Sequence, residues 1–181
     1  MTSISEARGH ELKWSWKGAI RDYHLLHSKD RSYAILFPGA KGKGSVSKSL
    51  RSLYFIGICL EGEFKLEGST QRAEVRRMSG DCALVANWNS PNVEFMDGAT
   101  FSCEGQEEKP AKVLHFVKDF RSIEGFIDQE GKEQIAIQSE GINPKLWVNQ
   151  DAETIHLPVL ILLSGWLQRT RGEESAIYTP V

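Results

Sequence analysis

From residue 53 to residue 95 the sequence swings repeatedly between short apolar or alternating runs and tight turns. No other feature constrains the fold as strongly. Residues 53–60 (LYFIGICL) are apolar on both faces, the pattern of a buried strand. Glu61-Gly62 turns the chain, and residues 63–67 alternate, with Phe64 and Leu66 to one side. Gly68-Ser69 turns it again, and residues 71–78 follow with Ala73 and Val75 inward. After Ser79-Gly80-Asp81 come an apolar strand at 82–86, a break at Asn89-Ser90-Pro91-Asn92, and a strand at 93–95. Asp97-Gly98 is a hairpin signal.

The flanks continue the pattern. Residues 11–17 (ELKWSWK) alternate, with Leu12, Trp14 and Trp16 on one face. Residues 32–37 are a second apolar run, closed by Pro38-Gly39 and followed by GAKGKGSVSKS, which reads as an exposed, mobile loop. Phe101 and Cys103 share a face, residues 104–110 form a polar loop, and residues 113–117 read as a buried strand. Short strands with glycine-centred turns describe a sandwich or small barrel.

The period then changes. Asp119 is placed to cap a helix carrying Phe120, Ile123 and Ile127, stopped near Gly131. Residues 132–156 are mixed. Pro158 suits the first turn of a second helix, with Leu160, Leu163 and Leu167 in a stripe flanked by Val159, Leu162 and Trp166, ending at Gly172. The expected fold is therefore mainly β: a cupin-like jelly roll or β-barrel over 1–118, followed by two C-terminal helices over 119–181 in the same domain.

Length and charge narrow the function. A chain of 181 residues suits one domain and buries a core without disulfide staples. Its net charge of −2 lacks the basic excess of a nucleic-acid-binding module. The N-terminus has no signal-peptide pattern, and the most apolar stretch, 157–167, is too short to span a bilayer. A cytoplasmic protein without membrane contact is expected. Cys59, Cys82 and Cys103, odd in number and without a CxxC pair, read as reduced thiols.

The search for chemistry points to binding rather than catalysis. A cupin metal site needs two or three His and a carboxylate on facing strands, and no HxH pair is present. His24 and His27, three apart in a strand, would face opposite ways. There is no G-x-S-x-G, and the glycine-rich loop lacks phosphate-loop spacing. No metal, no cofactor and no enzymatic activity are expected. The ligand-lining candidates, chosen by alternation, are Trp14, Trp16, Tyr54, Ile56, Trp88, Phe95 and His115. Indole rings give apolar walls with one donor each, suited to a small aromatic or sugar-like ligand. Core packing is the plainer reading for any one of them, and for His115. Arg76 and Arg77 would meet an acidic ligand at the barrel mouth, or simply solvent.

Residues 53–88, LYFIGICLEGEFKLEGSTQRAEVRRMSGDCALVANWN, resemble the N-terminal effector domain of AraC/XylS-type transcriptional regulators, most of all the branch that includes regulators of siderophore uptake. VLHFVKDFRSIEGFI and KLWVNQDAETIHLPVLILL are similar to later parts of that domain. The resemblance implies a small-molecule effector, a homodimer, and DNA contact only through a helix-turn-helix domain that these residues do not include. It implies that the C-terminal helix transmits the signal, its apolar stripe packing on the barrel or on a second copy. The alternatives are a cupin-type metal-dependent isomerase or dioxygenase, and a non-catalytic interaction module with a filled barrel.

Overall fold

The computed structural model describes residues 1–17, 23–39, 53–78, 84–96, 112–118, 123–139 and 143–177. A 3-10 turn, Ile4–Ala7, precedes the strands β1 (Glu11–Lys17), β2 (Tyr23–Ser28), β3 (Arg31–Pro38), β4 (Leu53–Cys59), β5 (Gly62–Gly68) and β6 (Arg72–Arg77). Then come β7 (Leu84–Asn89), β8 (Asn92–Phe95), β9 (Lys112–Lys118), β10 (Ile123–Ile127), β11 (Glu133–Gln138) and β12 (Lys145–Val148), and last the helix α1 (Leu157–Ile177). Side chains at 16, 17, 53, 84 and 172–177 lie outside the description. So do the lysine-rich stretch after Gly39, the Asp97-Gly98 hairpin signal, Cys82 and Cys103, the 104–110 loop, and Asp119 with Phe120.

The sheet is an antiparallel meander closed on itself. Each strand pairs with its neighbour in sequence, and β12 returns to β1 through Glu11↔Trp147 and Lys13↔Lys145. Closure leaves no sheet edge exposed. A jelly roll instead needs strands that cross between two sheets. The mainly β barrel is present, but its described strand order is plain up-and-down.

The barrel also extends past residue 118, because β10, β11 and β12 supply its last three staves. The helix expected around Ile123 and Ile127 is strand β10. Its spacing mimics a helix because the inward positions are Glu124 and Phe126 while Ile123 and Ile127 face outward, inverting the usual pattern. Among the described residues α1 is the one α-helix, and it runs beyond Gly172 to Ile177. It is not apolar and long enough to cross a membrane.

The helix fills the barrel. Leu160, Ile161, Leu162, Leu163, Trp166 and Leu167 have no exposed surface, and consecutive residues cannot all be hidden by packing one face on a sheet. α1 touches the adjacent strands β3 and β4 and also β11, four strands further round the closed sheet, while its Gly165 abuts Trp14 of β1 between them. The walls turn inward Trp14, Leu36, Phe55, Phe64, Val75, Trp88, Leu114 and Ile137, all buried. Eight strands leave room only for side chains, whereas twelve leave room for a helix about 10 Å across. Ser164 and Thr170 satisfy their hydroxyls locally by donating to the Ile161 and Leu167 carbonyls. Of the two expected partners for this stripe, the barrel and a second copy, it is the barrel that covers it.

Both ends of the plug are tied. At the entry end, the N-terminal turn buries Ile4 and Ala7 against α1. The Glu61 carboxylate accepts from the Ile4 amide at 2.7 Å and the Ser3 hydroxyl at 2.6 Å. At the exit end, buried Glu124 meets Arg171 Nη1 at 2.6 Å, Gln168 Nε2 at 3.2 Å and the Ser139 hydroxyl at 2.9 Å.

Candidate functional site

The interior and the outer face offer different chemistry. Of the seven ligand-lining candidates, Trp14, Trp88 and Phe95 point inward and are buried. Trp14 lies against α1 at Gly165, and the Phe95 ring meets His156 at 4.2 Å between centroids, tilted by 50°. Trp88 meets Phe116 and Phe126 edge-on, and its indole N–H donates to the Thr70 carbonyl at 2.8 Å. These rings pack on protein and line no described interior space. The side chain of Trp16 lies outside the described residues.

Tyr54, Ile56 and His115 stand on the outer face. Phe55, Gly57 and Cys59 are the buried positions of β4, and Gly57 abuts Leu162 of α1. Alternation then turns Tyr54 and Ile56 outward, one residue out of register with the expectation. Tyr54 carries Lys65 Nζ above its ring at 5.0 Å. His115 neighbours inward-facing Leu114 and joins its Nδ1 to Asn92 Oδ1 at 2.7 Å.

His24 and His27 do not come together. The register puts His24 beside Leu36 on the inward side, whereas His27 Nε2 bonds the outward Ser15 hydroxyl at 2.6 Å. Among the described residues no three His, Cys, Asp or Glu side chains are placed to hold a metal ion. Cys59 is buried beside Glu61, and burial above all pushes its thiol pKa up to about 12, which leaves it protonated and inert.

The outer face of β5, β6 and β7 holds an open cleft of about 460 Å³ near the exit rim. Glu67, Arg72, Glu74, Asn87 and Asn89 line it, over a floor that includes Gly68, Ala73 and Trp88. The ladder explains the convergence. Glu67, Glu74, Asn87 and Glu94 are successive cross-strand partners, and so are Arg72, Asn89, Asn92 and His115. Two adjacent rows of outward polar groups therefore run across the sheet.

Charge is balanced within these rows. Glu67 faces Glu74 directly, a like-charge pairing that costs stability. Each carboxylate is answered along its own strand, by Lys65 at 2.6 Å and by Arg76 at 2.7 Å. The hydrogen bond to Glu67 raises the Lys65 pKa and keeps that ammonium charged. Arg77, the other arginine considered for an acidic ligand, lies over the Phe64 ring at 5.6 Å.

Of the cleft residues only Trp88, in the floor, was in the expected ligand-lining set; the polar walls were not. Their signal was available: in RAEVRR and LVANWN the polar residues occupy alternate positions, which places them together on one face.

At the entry end, His156 has Glu153 Oε2 at 3.0 Å from Nδ1, a contact that becomes an ion pair only when the imidazole is protonated. Burial pushes the imidazole below its ordinary pKa, with Glu153 opposing and Lys112 adding to the shift. Lys112 also pairs with Glu153, holding that carboxyl below its usual range. Compared with known proteins, the chain matches no family model, no curated protein and no solved structure.

Proposed function

We propose that this chain is a non-catalytic interaction module whose barrel interior is scaffold and whose outer face meets its ligand or partner. The observation that supports this most is the occupancy of the interior by α1, from Leu157 to Leu167. A binding site needs concave space lined by a few polar groups. The described interior gives its volume to leucines, isoleucine and tryptophans, while the polar groups converge outside. Closure of the sheet also removes strand addition as a binding mode, leaving side-chain surfaces and loops.

The experiment is titration of the intact chain with an apolar fluorescent probe, anilinonaphthalene sulfonate, beside the cavity variant Leu160→Ala/Leu163→Ala. The filled barrel leaves the parent protein dark and the variant bright, because deletion opens apolar space. Saturable one-to-one binding by the parent protein would place the working site inside and defeat the proposal.

A second reading has its own observation. The open cleft at β5–β7 is of ligand size, which favours a small-molecule-sensing domain of the kind the AraC-type resemblance implies, with effector bound on the outer face. A thermal-shift screen with small polar ligands tests it, since a ligand that binds only the folded state raises Tm.

A further inference from the structure

We propose that the cleft on β5, β6 and β7 binds a neutral, polyhydroxylated ligand, a saccharide, through hydrogen bonds rather than charge. The inference rests on the reading that the outer face does the work, and it names what that face takes. The cleft has ligand-sized volume, and its walls carry planar groups with paired acceptors or donors: Glu67 and Glu74, Asn87 and Asn89, and Arg72. Such groups suit vicinal hydroxyls, each of which both donates and accepts.

Electrostatics decides the ligand class. The two rows carry three carboxylates, Glu67, Glu74 and Glu94, and Arg72, and the flanking Lys65–Arg76 pair supplies two further cations. Two of the three acids are already in ion pairs at 2.6 and 2.7 Å. A cation arriving here competes with Lys65 and Arg76 for the two carboxylates, and an anion drawn to Arg72 meets Glu67 and Glu74 beside it, so neither gains much net field. A neutral hydroxylated ligand meets the same polar groups without that cost. An apolar ligand is disfavoured as well, because Ala73 and Trp88 in the floor are almost wholly covered.

Neighbouring groups hold the platform still. The Trp88 N–H is fixed on the Thr70 carbonyl under the rim turn, which anchors β7 beneath Asn87 and Asn89. In the next row, Asn92 orients the His115 ring. Gly68, at φ +152°, lets the β5–β6 turn fold tightly: a Cβ there would stand 2.2 Å from the Arg72 carbonyl oxygen.

The test is an NMR titration of the intact chain with glucose, N-acetylglucosamine and maltotetraose, with spermidine and inorganic phosphate as charged controls. The expected result is saturable shifts from a neutral saccharide at amides 67–74 and 87–89, with a Kd on the order of 1 mM, as suits an open site. Added salt leaves them unchanged. Asn87→Ala/Asn89→Ala, which removes both amide side chains, weakens binding about tenfold or more, with the folded spectrum retained. Asn89→Asp, nearly isosteric, does the same should the double variant fail to fold. No saturable response to any neutral saccharide, or tighter salt-sensitive binding of spermidine or phosphate, overturns the proposal. Shifts confined to another outer patch overturn the cleft but leave the outer-face reading standing, and shifts confined to α1 and inward residues overturn both.

Discussion

Gly165 of α1 and Trp14 of β1 are in contact so close that a methyl group on the glycine would lie 2.7 Å from indole Cζ2. The indole is rigid and buried, so it cannot yield as a flexible chain end would. Glycine inside a helix normally costs about 1 kcal/mol relative to alanine. Here the glycine is the space through which the helix passes the wall.

Gly165→Ala therefore reverses the usual sign. Overpacking costs about 1–3 kcal/mol, more than the helix-propensity gain. Chemical denaturation reads it: a lowered midpoint is expected, and a raised one would mean that the helix lies outside the barrel.

Truncating the plug is costlier. Leu163→Ala deletes a side chain with no exposed surface and leaves a cavity, for a loss of about 2–5 kcal/mol. A helix resting on the surface would lose about 0.5 kcal/mol. Equilibrium unfolding in urea separates the two.

The exit-end ion pair makes a non-additive prediction. Arg171→Met leaves the buried Glu124 carboxylate with Gln168 and Ser139 alone, and lowers stability by about 2 kcal/mol, less than a wholly buried pair because Arg171 is 40% exposed. Adding Glu124→Gln removes the uncompensated charge, so the double variant recovers part of that loss. Strict additivity in denaturant melts would contradict the coupling.

Protonation at the entry end sets a pH dependence. The folded pKa of His156 lies below its ordinary 6.5, so between those values the unfolded chain binds the extra proton. The contribution to stability is complete above 6.5 and is lost as pH falls below it. Glu153, lowered from 4.5, loses its contribution in a separate window further down. His156→Gln should flatten Tm against pH in the window just below 6.5 while leaving the acid limb. An unchanged slope would remove His156 from the account.

Much of the barrel was legible in the sequence. ELKWSWK and EFKLE alternate cleanly and form β1 and β5, and the glycines at 62 and 68 mark turns that require positive φ. Pro158 lies in the first turn of α1. Two physical ambiguities hid the rest. LYFIGIC is apolar on both faces, so alternation alone cannot choose between Tyr54 and Phe55; Gly57 against Leu162 chooses Phe55. IEGFI carries a charge at an inward position because Glu124 answers Arg171, a contact made across the barrel and invisible locally. The wide apolar face of 157–167 was visible, but that it is wrapped on every side follows only from the closure of twelve strands.

The same ambiguity yields a register test. Phe55→Ala should cost about 3–5 kcal/mol and Ile56→Ala less than about 1. Unfolding midpoints in the opposite order would shift β4 by one residue.

Native-state hydrogen exchange along α1 tests the central claim most directly. A helix enclosed by a closed sheet can open only when the sheet does. Amides 160–167 should then exchange at the global unfolding limit, with the denaturant dependence of β4 and β11. Exchange of those amides through a smaller opening, while the strands stay protected, would show a helix free to leave and a barrel whose interior is open for work.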